Sequence, residues 1–283
     1  MRKHWIIGAT TLIGIGAVVA VGAAASGFGS QGSTRSFAHL AHRARPDARF
    51  GRVAPSLARL RGVNFVSGCT FSHRNNDDPI VYPGRPGLSH DHTFIGNNST
   101  NAFSSLDTLK DETSSCRRVG DTAAYWVPTL ISASGQAIQP RAASVYYRRH
   151  TLAPVQAFPP GFKLIAGIRP TSTIPTCPDA RRQGLALHVR FPDCWDGLNL
   201  DSPDHQGHTA YSVRGVCPPG KPVALPAIQV NLRYPSAGGP GLTLSSGGQF
   251  SGHADFFNAW NQSVLTQLVD GCLNAFRHCQ QGS

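Results

Sequence analysis

The clearest indication of the fold class is the segment Leu185-Ala-Leu-His-Val-Arg-Phe191, which is followed directly by Pro192-Asp-Cys-Trp-Asp-Gly197. Its large apolar side chains stand at every second position, with small or polar side chains between them. This alternation is the pattern of a β-strand that has one face in a core and the other in solvent. Turn-forming residues come next, so the segment predicts a short strand that leads into a polar loop.

Four further segments, each bounded by turn residues, predict strands elsewhere: residues 124–127, 144–147, 162–165 and 227–232. The 21 prolines and 30 glycines are spread through the chain and cut it into such short pieces. Residues 257–272, in contrast, carry apolar side chains at helical spacing and predict one long amphipathic helix. The predicted fold class is mostly β: a single β-sandwich or jelly-roll-like domain with long loops and one C-terminal amphipathic helix.

The N-terminus has the features of an export signal. Arg2 and Lys3 precede an uncharged run, residues 5–25, which ends in three alanines, a small-residue pattern that signal peptidase accepts. An uncleaved membrane anchor is the alternative, because the run approaches the roughly 20 residues that span a bilayer. We therefore divide the chain into a signal peptide or anchor (1–25), an Arg-rich flexible linker (26–61) and a β-rich domain (62–283), and we expect the protein to be secreted or associated with the cell envelope.

The positive charge is concentrated in the linker. Without Arg2 and Lys3, the chain keeps 24 of its 26 basic residues against 15 acidic ones, a net charge of +9. Residues 26–61 hold seven arginines and one acid, which leaves only +3 on the domain. A nucleic-acid-binding domain would need a basic face interleaved with aromatic residues, so we expect no nucleic-acid partner. The linker is suited to contact with an anionic envelope surface.

Seven cysteines predict disulfides, because an exported chain enters an oxidising compartment. No C-x-x-C pair with zinc-ligand spacing is present in the sequence. We expect three bridges and one remaining thiol. Spacing does not determine connectivity, and we predict the pairs Cys69–Cys116 and Cys194–Cys217 only.

Histidines and aspartates gather in three segments. In the first, His90 and His92 point to the same face if the chain is extended there, so they could chelate a metal or act as a base and its orienting partner. H-x-H is a weak motif by itself, and solvated or structural histidines are the common alternative. The second segment, residues 193–208, holds four aspartates, one asparagine and two histidines without a Lys or Arg. Such a loop needs a cation or hydrogen-bond donors to offset its charge, although Asx-turns would also explain its aspartates.

The third segment is Gly252-His253-Ala254-Asp255, at the start of the predicted helix. Two interpretations of Asp255 are open: it caps the predicted helix, or it forms part of a site with His253. Glu112 is the only glutamate in the protein. A glycosidase with paired glutamates is therefore excluded, whereas paired aspartates remain open.

The order of these motifs resembles the DUF1996 family, secreted fungal and actinobacterial domains of unknown function that in fungi are often fused to carbohydrate-binding WSC modules. The resemblance covers roughly residues 63–272 and is most specific at Phe191-Pro-x-Cys-Trp-Asp-Gly197, which continues to His205 and His208. The Arg-rich leader and shorter loops depart from the fungal pattern. The resemblance implies secretion and disulfides, and it brings no settled activity. Other matching positions are Asp78, His90, His92, Trp126, Tyr147, Asn199, Tyr211, His253 and Asp255.

Three hypotheses follow for these residues. The first is a hydrolase or lyase acting on extracellular polysaccharide, by metal assistance or by His/Asp acid–base chemistry. The second is a non-catalytic envelope protein that binds glycan or a cation, and the third is a buried hydrogen-bond network that holds long loops. For the first, we assign the catalytic roles to His92, His205, His253 and Asp201.

The remaining assignments concern metal and sugar. A divalent metal ion is the expected cofactor, and a cell-wall or extracellular glycan is the expected partner. Asp196 would support the site, and Tyr146 would extend an aromatic platform for sugars. The predicted metal ligands are His90, His92, His205, His208, His253 and Asp255. The predicted ligand-binding residues are Asp78, Trp126, Tyr147, Trp195, Asn199 and Tyr211.

Overall fold

The structure is a computed structural model that describes residues 56–167, 174–177, 184–247 and 251–280. The predicted signal peptide or anchor and the linker as far as residue 55 lie outside this range. Within it the chain forms strands and two short helices, α1 (Leu106–Leu109) and α2 (Gln262–Leu268). The strands are β1 Asn64–Cys69, β2 Phe71–Asn75, β3 His92–Gly96, β4 Ala124–Pro128, β5 Leu130–Ile131, β6 Ala137–Ile138, β7 Ala142–Arg148, β8 Lys163–Gly167, β9 Ala186–Arg190, β10 Cys194–Trp195, β11 Thr209–Ala210, β12 Val223–Ala224, β13 Ala227–Arg233, β14 Thr243–Leu244, β15 His253–Phe257 and β16 His278–Cys279.

Two five-stranded sheets form the body, in the orders β16-β1-β7-β13-β9 and β2-β3-β4-β15-β8. The β1–β16 pair is parallel, and the other pairs in the two sheets are antiparallel. Two small three-stranded sheets, β11-β10-β12 and β14-β5-β6, complete the fold. The molecule is mostly β and has the sandwich architecture that the sequence predicts.

The main core lies between the two large sheets. Phe256 on the second sheet packs against Phe191, with ring centroids 6.4 Å apart, and both are buried in one continuous apolar cluster. Tyr147 on the first sheet and Tyr125 on the second belong to the same cluster. Because side chains alternate along a strand, the neighbours of these residues point to the outer faces of the sheets.

The second sheet is buried on its outer face as well. Phe94, Trp126 and Phe257 lie there in a separate apolar cluster together with Ile80 from a covering loop and Leu109 from α1. All five residues of β4 are buried for this reason. The outer face of this sheet, under the loop that contains residue 80, is where the candidate site is found.

The five strands predicted from local pattern are confirmed as β4, β7, β8, β9 and β13, with ends that differ by three residues or fewer. The C-terminal helix is also present, but it is shorter than predicted. Phe257 belongs to β15, and the helix begins at Gln262. Asn261 is the N-cap, since its side chain accepts a hydrogen bond from Val264 N at 3.2 Å.

Asp255 is therefore a strand residue and caps no helix. The α-helix ends at Leu268 and continues as one π-helical turn, Val269–Asn274. Phe257, the last residue of β15, and Trp260 stand at helical spacing from Val264 in α2, which explains why the sequence predicts a helix that starts too early.

Three disulfides staple the domain: Cys69–Cys116, Cys194–Cys217 and Cys272–Cys279. The first two are the predicted pairs, and Cys177 is the remaining thiol. The first joins the end of β1 to a loop that follows α1, and the second joins β10 to a loop after β11. These bridges hold loops that have little secondary structure of their own.

The ordered domain begins before residue 62. Leu57–Leu60 is a 3-10 helix whose Leu60 is buried, and the Arg59 guanidinium lies 4.3 Å from the centre of the Phe276 ring. The last residues of the predicted linker thus pack against the C-terminal part of the domain. Among the residues that the structure describes, no helix has the length and apolar character needed to cross a bilayer.

Candidate metal centre

Two strands of the second sheet begin with histidines that face outward together. His92 opens β3 and His253 opens β15. Phe94 is paired with Trp126, and Trp126 is paired with Asp255 across the sheet. His92 stands two residues before Phe94, and His253 two residues before Asp255, so all of these side chains share the outer face.

A third histidine comes from the loop that covers this face. The ring centroid of His90 lies 4.1 Å from that of His92 and 5.2 Å from that of His253. The rings of His92 and His253 are 5.9 Å apart. One ring nitrogen from each of the three lies within 4.8 Å of the others. Such spacing allows three imidazoles to bind one ion after small side-chain adjustments.

Backbone carbonyls orient two of the rings. His92 Nδ1 donates to the Asp77 carbonyl at 3.0 Å, and His253 Nδ1 donates to the Ser251 carbonyl at 2.9 Å. A proton on Nδ1 places the lone pair of the neutral ring on Nε2. His92 Nε2 and His90 Nε2 are buried without a hydrogen-bond partner in the described part of the chain. This arrangement, with one nitrogen anchored and the other free, is the usual one for metal-binding histidines.

The surroundings keep these imidazoles neutral. Burial, together with the smaller effect of the neighbouring His253, lowers the pKa of His90 to about 4. Burial, followed by the proximity of His90, lowers the pKa of His92 well below its ordinary value. The pKa of His253 is lowered as well, again chiefly by burial. Because only the unprotonated ring binds a metal, the site favours the ligand form at neutral pH.

Asp255 supplies a carboxyl group beneath the histidines. It is fully buried, its Oδ2 lies 3.7 Å from His253 Nε2, and neither of its oxygens has a hydrogen-bond partner among the described residues. Burial and then the nearby Asp78 raise its pKa well above the ordinary value. A buried carboxyl without donors is costly. A cation held by the three imidazoles would offset that cost.

Asp78 is the second carboxyl next to the site. Its Oδ1 accepts hydrogen bonds from Ile80 N and Val81 N, both at 2.9 Å. Burial nevertheless raises its pKa, while these two bonds and the proximity of His253 act in the opposite direction. Trp126 Nε1 approaches Asp78 closely enough to lower that pKa, without forming a hydrogen bond of acceptable geometry. The loop that carries Asp78 and His90 thus closes the site from above.

His205 and His208 form a separate group in the polar loop that follows β10. His205 Nδ1 donates to Asp201 Oδ1 at 2.8 Å. His208 Nε2 donates to the Lys163 carbonyl at 2.9 Å, and its Nδ1 lies 2.9 Å from Ser202 Oγ. Both nitrogens of His208 are thereby engaged, and the residue holds the loop against β8.

The same loop continues the second sheet at the edge of β8. Lys163 N donates to the Leu200 carbonyl, and Ile165 N donates to the His205 carbonyl. The Asp204 side chain makes a turn: hydrogen bonds from Gly207 N, then from the Ser202 hydroxyl, lower its pKa to about 2. Hydrogen-bond donors of the loop itself therefore compensate much of its acidic charge.

Of the six predicted metal ligands, the structure brings together His90, His92, His253 and Asp255. Across the described segments, no hydrogen bond, ion pair or ring contact joins His205 or His208 to them. His205 therefore makes no direct contact with His92 or His253 among the described residues, and its place in one pocket with them stays a prediction. Local turns within residues 201–208 satisfy these two histidines first.

The predicted sugar-binding residues divide into two groups. Trp126 and Tyr147 are fully buried, so neither ring offers a face to a ligand. Trp195 is half-buried and donates from Nε1 to the Asn199 carbonyl at 2.6 Å. Tyr211 is exposed and donates to the Arg190 carbonyl. Trp195, Asn199 and Tyr211 therefore remain candidates for surface contacts, and Asp196 braces their loop through Asn199 Nδ2 at 2.8 Å.

Two contributors to the site were not found from the sequence. Asp77 and Ser251 act through backbone carbonyls, which any residue type can supply, so the amino-acid pattern carries no signal for them. A second cluster of metal-ligand type, Cys69, Cys116 and Asp121, is excluded as a metal site because its two cysteines form a disulfide.

Among the comparisons with known proteins, a family match includes the whole candidate site. The model of the family described as a domain of unknown function, DUF1996, matches residues 78–173 and 168–260. Neither a curated protein nor a solved structure matches the chain. The family match spans well over half of the chain and includes His90, His92, His253 and both neighbouring aspartates. The chain belongs to the DUF1996 family.

Proposed function

We propose that this protein is exported and that His90, His92 and His253 bind one divalent transition-metal ion with which it acts on an extracellular polysaccharide. One observation carries the proposal: three neutral imidazoles converge above a buried carboxyl group that lacks hydrogen-bond donors. Imidazole is a preferred ligand of zinc, copper, iron and nickel ions. Three protein ligands also leave a coordination position for water or substrate.

The chemistry that such an ion supplies is activation of a bound water or polarisation of a substrate oxygen. The chain's own groups have distinct parts in this proposal. The carbonyls of Asp77 and Ser251 hold the rings of His92 and His253 in place. Asp255, next to His253, balances the charge of the ion, and Asp78 is the carboxyl group suited to take up a proton.

Export and a glycan substrate are supported by separate observations. Three disulfides are typical of proteins that fold in an oxidising compartment. The loop of residues 196–211 presents the exposed side chains of Leu198, Leu200 and Tyr211, and apolar or aromatic surfaces are what sugar rings stack on. Hydrolysis and elimination are both compatible with the metal centre, and the products distinguish them.

The alternative is a non-catalytic protein of the cell envelope that binds glycan or a cation. The complete burial of His92 favours it, because a deeply placed ion exchanges slowly and has less room for substrate. Acid–base catalysis without metal is a further variant. The Asp201–His205 pair carries this variant, since the carboxylate orients the ring and leaves Nε2 without a partner in the described chain.

Elemental analysis of the purified protein tests the metal, and a depolymerisation screen on extracellular polysaccharides tests the activity. We expect about one transition-metal ion per chain and activity that is lost with a chelator and restored by the metal. His90→Ala should remove both metal and activity. His188→Ala is the matched control, because His188 is an exposed histidine on β9 that contacts Asn231. Metal-free protein that retains full activity would contradict the metal assignment and favour the Asp201–His205 pair.

A further inference from the structure

A basic cavity lies on the other large sheet, at the end where β7 and β9 finish. Its volume is about 580 Å³, which is within the range of sites for small ligands. Arg148, the last residue of β7, and Arg190, the last residue of β9, both line it. Arg61 and Arg214 bring the number of arginines in its lining to four.

The charge of these arginines is largely uncompensated. Asp193 is the single acidic residue that forms an ion pair with any of the four in the described chain, at 3.6 Å from Arg190. Its two oxygens are already used by Ser212, which donates from the backbone N at 2.8 Å and from the hydroxyl at 2.6 Å. Four cations and one engaged carboxylate leave a strong positive potential in the cavity.

One donor in this set is buried and unused. Arg148 Nε is buried and has no hydrogen-bond partner within the part of the chain that the structure describes. The pairing of Arg148 with Asn64 on one side and Ala227 on the other fixes its backbone. Its guanidinium also lies 4.9 Å from the centre of the Tyr146 ring. A buried guanidinium donor without an acceptor is unfavourable, and an anionic oxygen would satisfy it.

His150 adds a fifth polar group to the lining. Burial lowers its pKa, and the charge of Arg190 lowers it further; Asp193 opposes these effects, and Arg148 adds the smallest contribution in the lowering direction. The ring is therefore neutral at pH 7 and can donate one hydrogen bond without adding to the repulsion among the arginines. The cavity thus combines charge, directed donors and a neutral imidazole.

We infer that this cavity is a binding site for an oxyanion group, such as the phosphate, sulfate or carboxylate of an acidic ligand. Guanidinium groups match the geometry of these oxyanions and form charge-assisted hydrogen bonds with them. The site is separate from the metal centre, which lies on the outer face of the other sheet. It does not depend on the proposed reaction.

Titration calorimetry of the full chain at low ionic strength tests the site with three probes: inorganic phosphate, sulfate and glucuronate. We expect saturable binding, tightest for phosphate and sulfate because they carry up to two charges each. Arg148→Gln should weaken it by roughly tenfold or more, as expected when a charged hydrogen-bond partner is lost. Arg214→Gln should have a similar effect, and because the Arg214 side chain is exposed, we expect that variant to keep the stability of the natural protein.

Two controls separate this site from other sources of binding. Arg141→Gln removes an exposed arginine just before β7, at the opposite end of the strand from Arg148, and should leave the affinity unchanged. Chelator-treated protein should bind the probe as the untreated protein does. The inference is overturned by the absence of saturable binding with all three probes, by an equal loss in Arg141→Gln, or by loss of binding with the chelator. Tighter binding of glucuronate than of phosphate would identify a uronic-acid ligand, whereas the reverse order identifies a phosphate or sulfate ester.

Discussion

The hydroxyl groups of Tyr125 on β4 and Tyr147 on β7 lie 2.6 Å apart in the core and connect the two large sheets. Trp260 Nε1 donates to Tyr147 Oη at 2.8 Å, and Tyr125 donates to Asp121 Oδ1 at 3.1 Å. All four side chains are buried. A polar network in an apolar core is stabilising only while each member keeps its partners.

We expect Tyr147→Phe to lower the free energy of unfolding by about 1–3 kcal/mol, because it leaves partners of the hydroxyl in the core without their hydrogen bond. Chemical denaturation of the variant measures this. Tyr146→Phe is the control, since Tyr146 points to the other face of β7 and is only half-buried. Its effect should stay within about 0.5 kcal/mol. Equal effects of the two substitutions would contradict the role of the network.

The pH dependence of stability should reveal Asp121. Burial raises its pKa to about 7, whereas the unfolded chain has the ordinary value of 3.8. Between these values the folded state holds a proton that the unfolded state has lost, so this group's contribution to stability falls as pH rises from about 4 to about 7. Above pH 7 both states are ionised, and the contribution stays at its lowest level.

Asp121→Asn should abolish this component. The difference in unfolding free energy between the natural protein and the variant should therefore change by up to about 1.4 kcal/mol per pH unit between pH 4 and 7. Denaturation of both proteins at several pH values measures this difference. Subtracting one free energy from the other cancels the contributions of His90 and Asp255, which titrate in both proteins. A difference that is independent of pH would show that the pKa of Asp121 is not raised.

Asp255→Asn separates a metal centre from a structural network. In a metal centre, the Asp255 carboxylate interacts favourably with the bound ion. Without the ion it destabilises the folded state, because neither oxygen accepts a hydrogen bond from the described residues. We expect the metal-free variant to be as stable as the natural protein or more stable, and its metal affinity to fall by roughly tenfold or more. Melting temperature and metal titration measure the two effects. A less stable variant with unchanged metal affinity would favour the structural network.

The disulfides should contribute unequally. Cys69–Cys116 joins residues 47 positions apart, whereas Cys272–Cys279 joins residues 7 apart. Chain entropy favours the longer loop by about 1.5 kcal/mol. Replacing both cysteines of Cys69–Cys116 with Ser should therefore lower the free energy of unfolding more than the same replacement at Cys272–Cys279, as denaturation experiments would measure. Thiol titration of the unfolded, unreduced natural protein should find one free sulfhydryl, Cys177. The opposite order of stability would show that local contacts outweigh chain entropy.

The boundary of the domain can be tested by truncation. Residues 26–55 carry an excess of positive charge, and their sequence predicts that they bury too little surface to offset the entropy cost of ordering. Their deletion should leave the melting temperature unchanged within a few degrees. Deletion through residue 61 should lower it, because Leu60 is buried and Arg59 contacts Phe276. Equal melting temperatures for the two truncated proteins would show that Leu57–Leu60 contributes nothing.

Local features of the sequence were sufficient for the fold class and for five of the strands, whereas no local feature determines disulfide connectivity. The alternation at residues 185–191 is visible because β9 has one face in the core and one in solvent. β4 shows the limit of such reasoning. Both of its faces are buried, so polarity does not alternate, and the sequence cannot tell which face holds Trp126. A Trp in an exposed platform and a Trp in a second core look the same.

The histidines show the same division. Sequence alone determined that His90 and His92 share a face when extended, and that His253 belongs to a third polar segment. The tertiary structure is needed to show that the ring of His253 contacts those of His90 and His92, whereas the described residues include no such contact for His205 or His208. That contact depends on the pairing of β4 with β3 and β15, which brings together residues more than 150 positions apart. Strand pairing of this kind is a property of the whole sheet, whereas the turns that engage His205 and His208 form within a few residues of one loop.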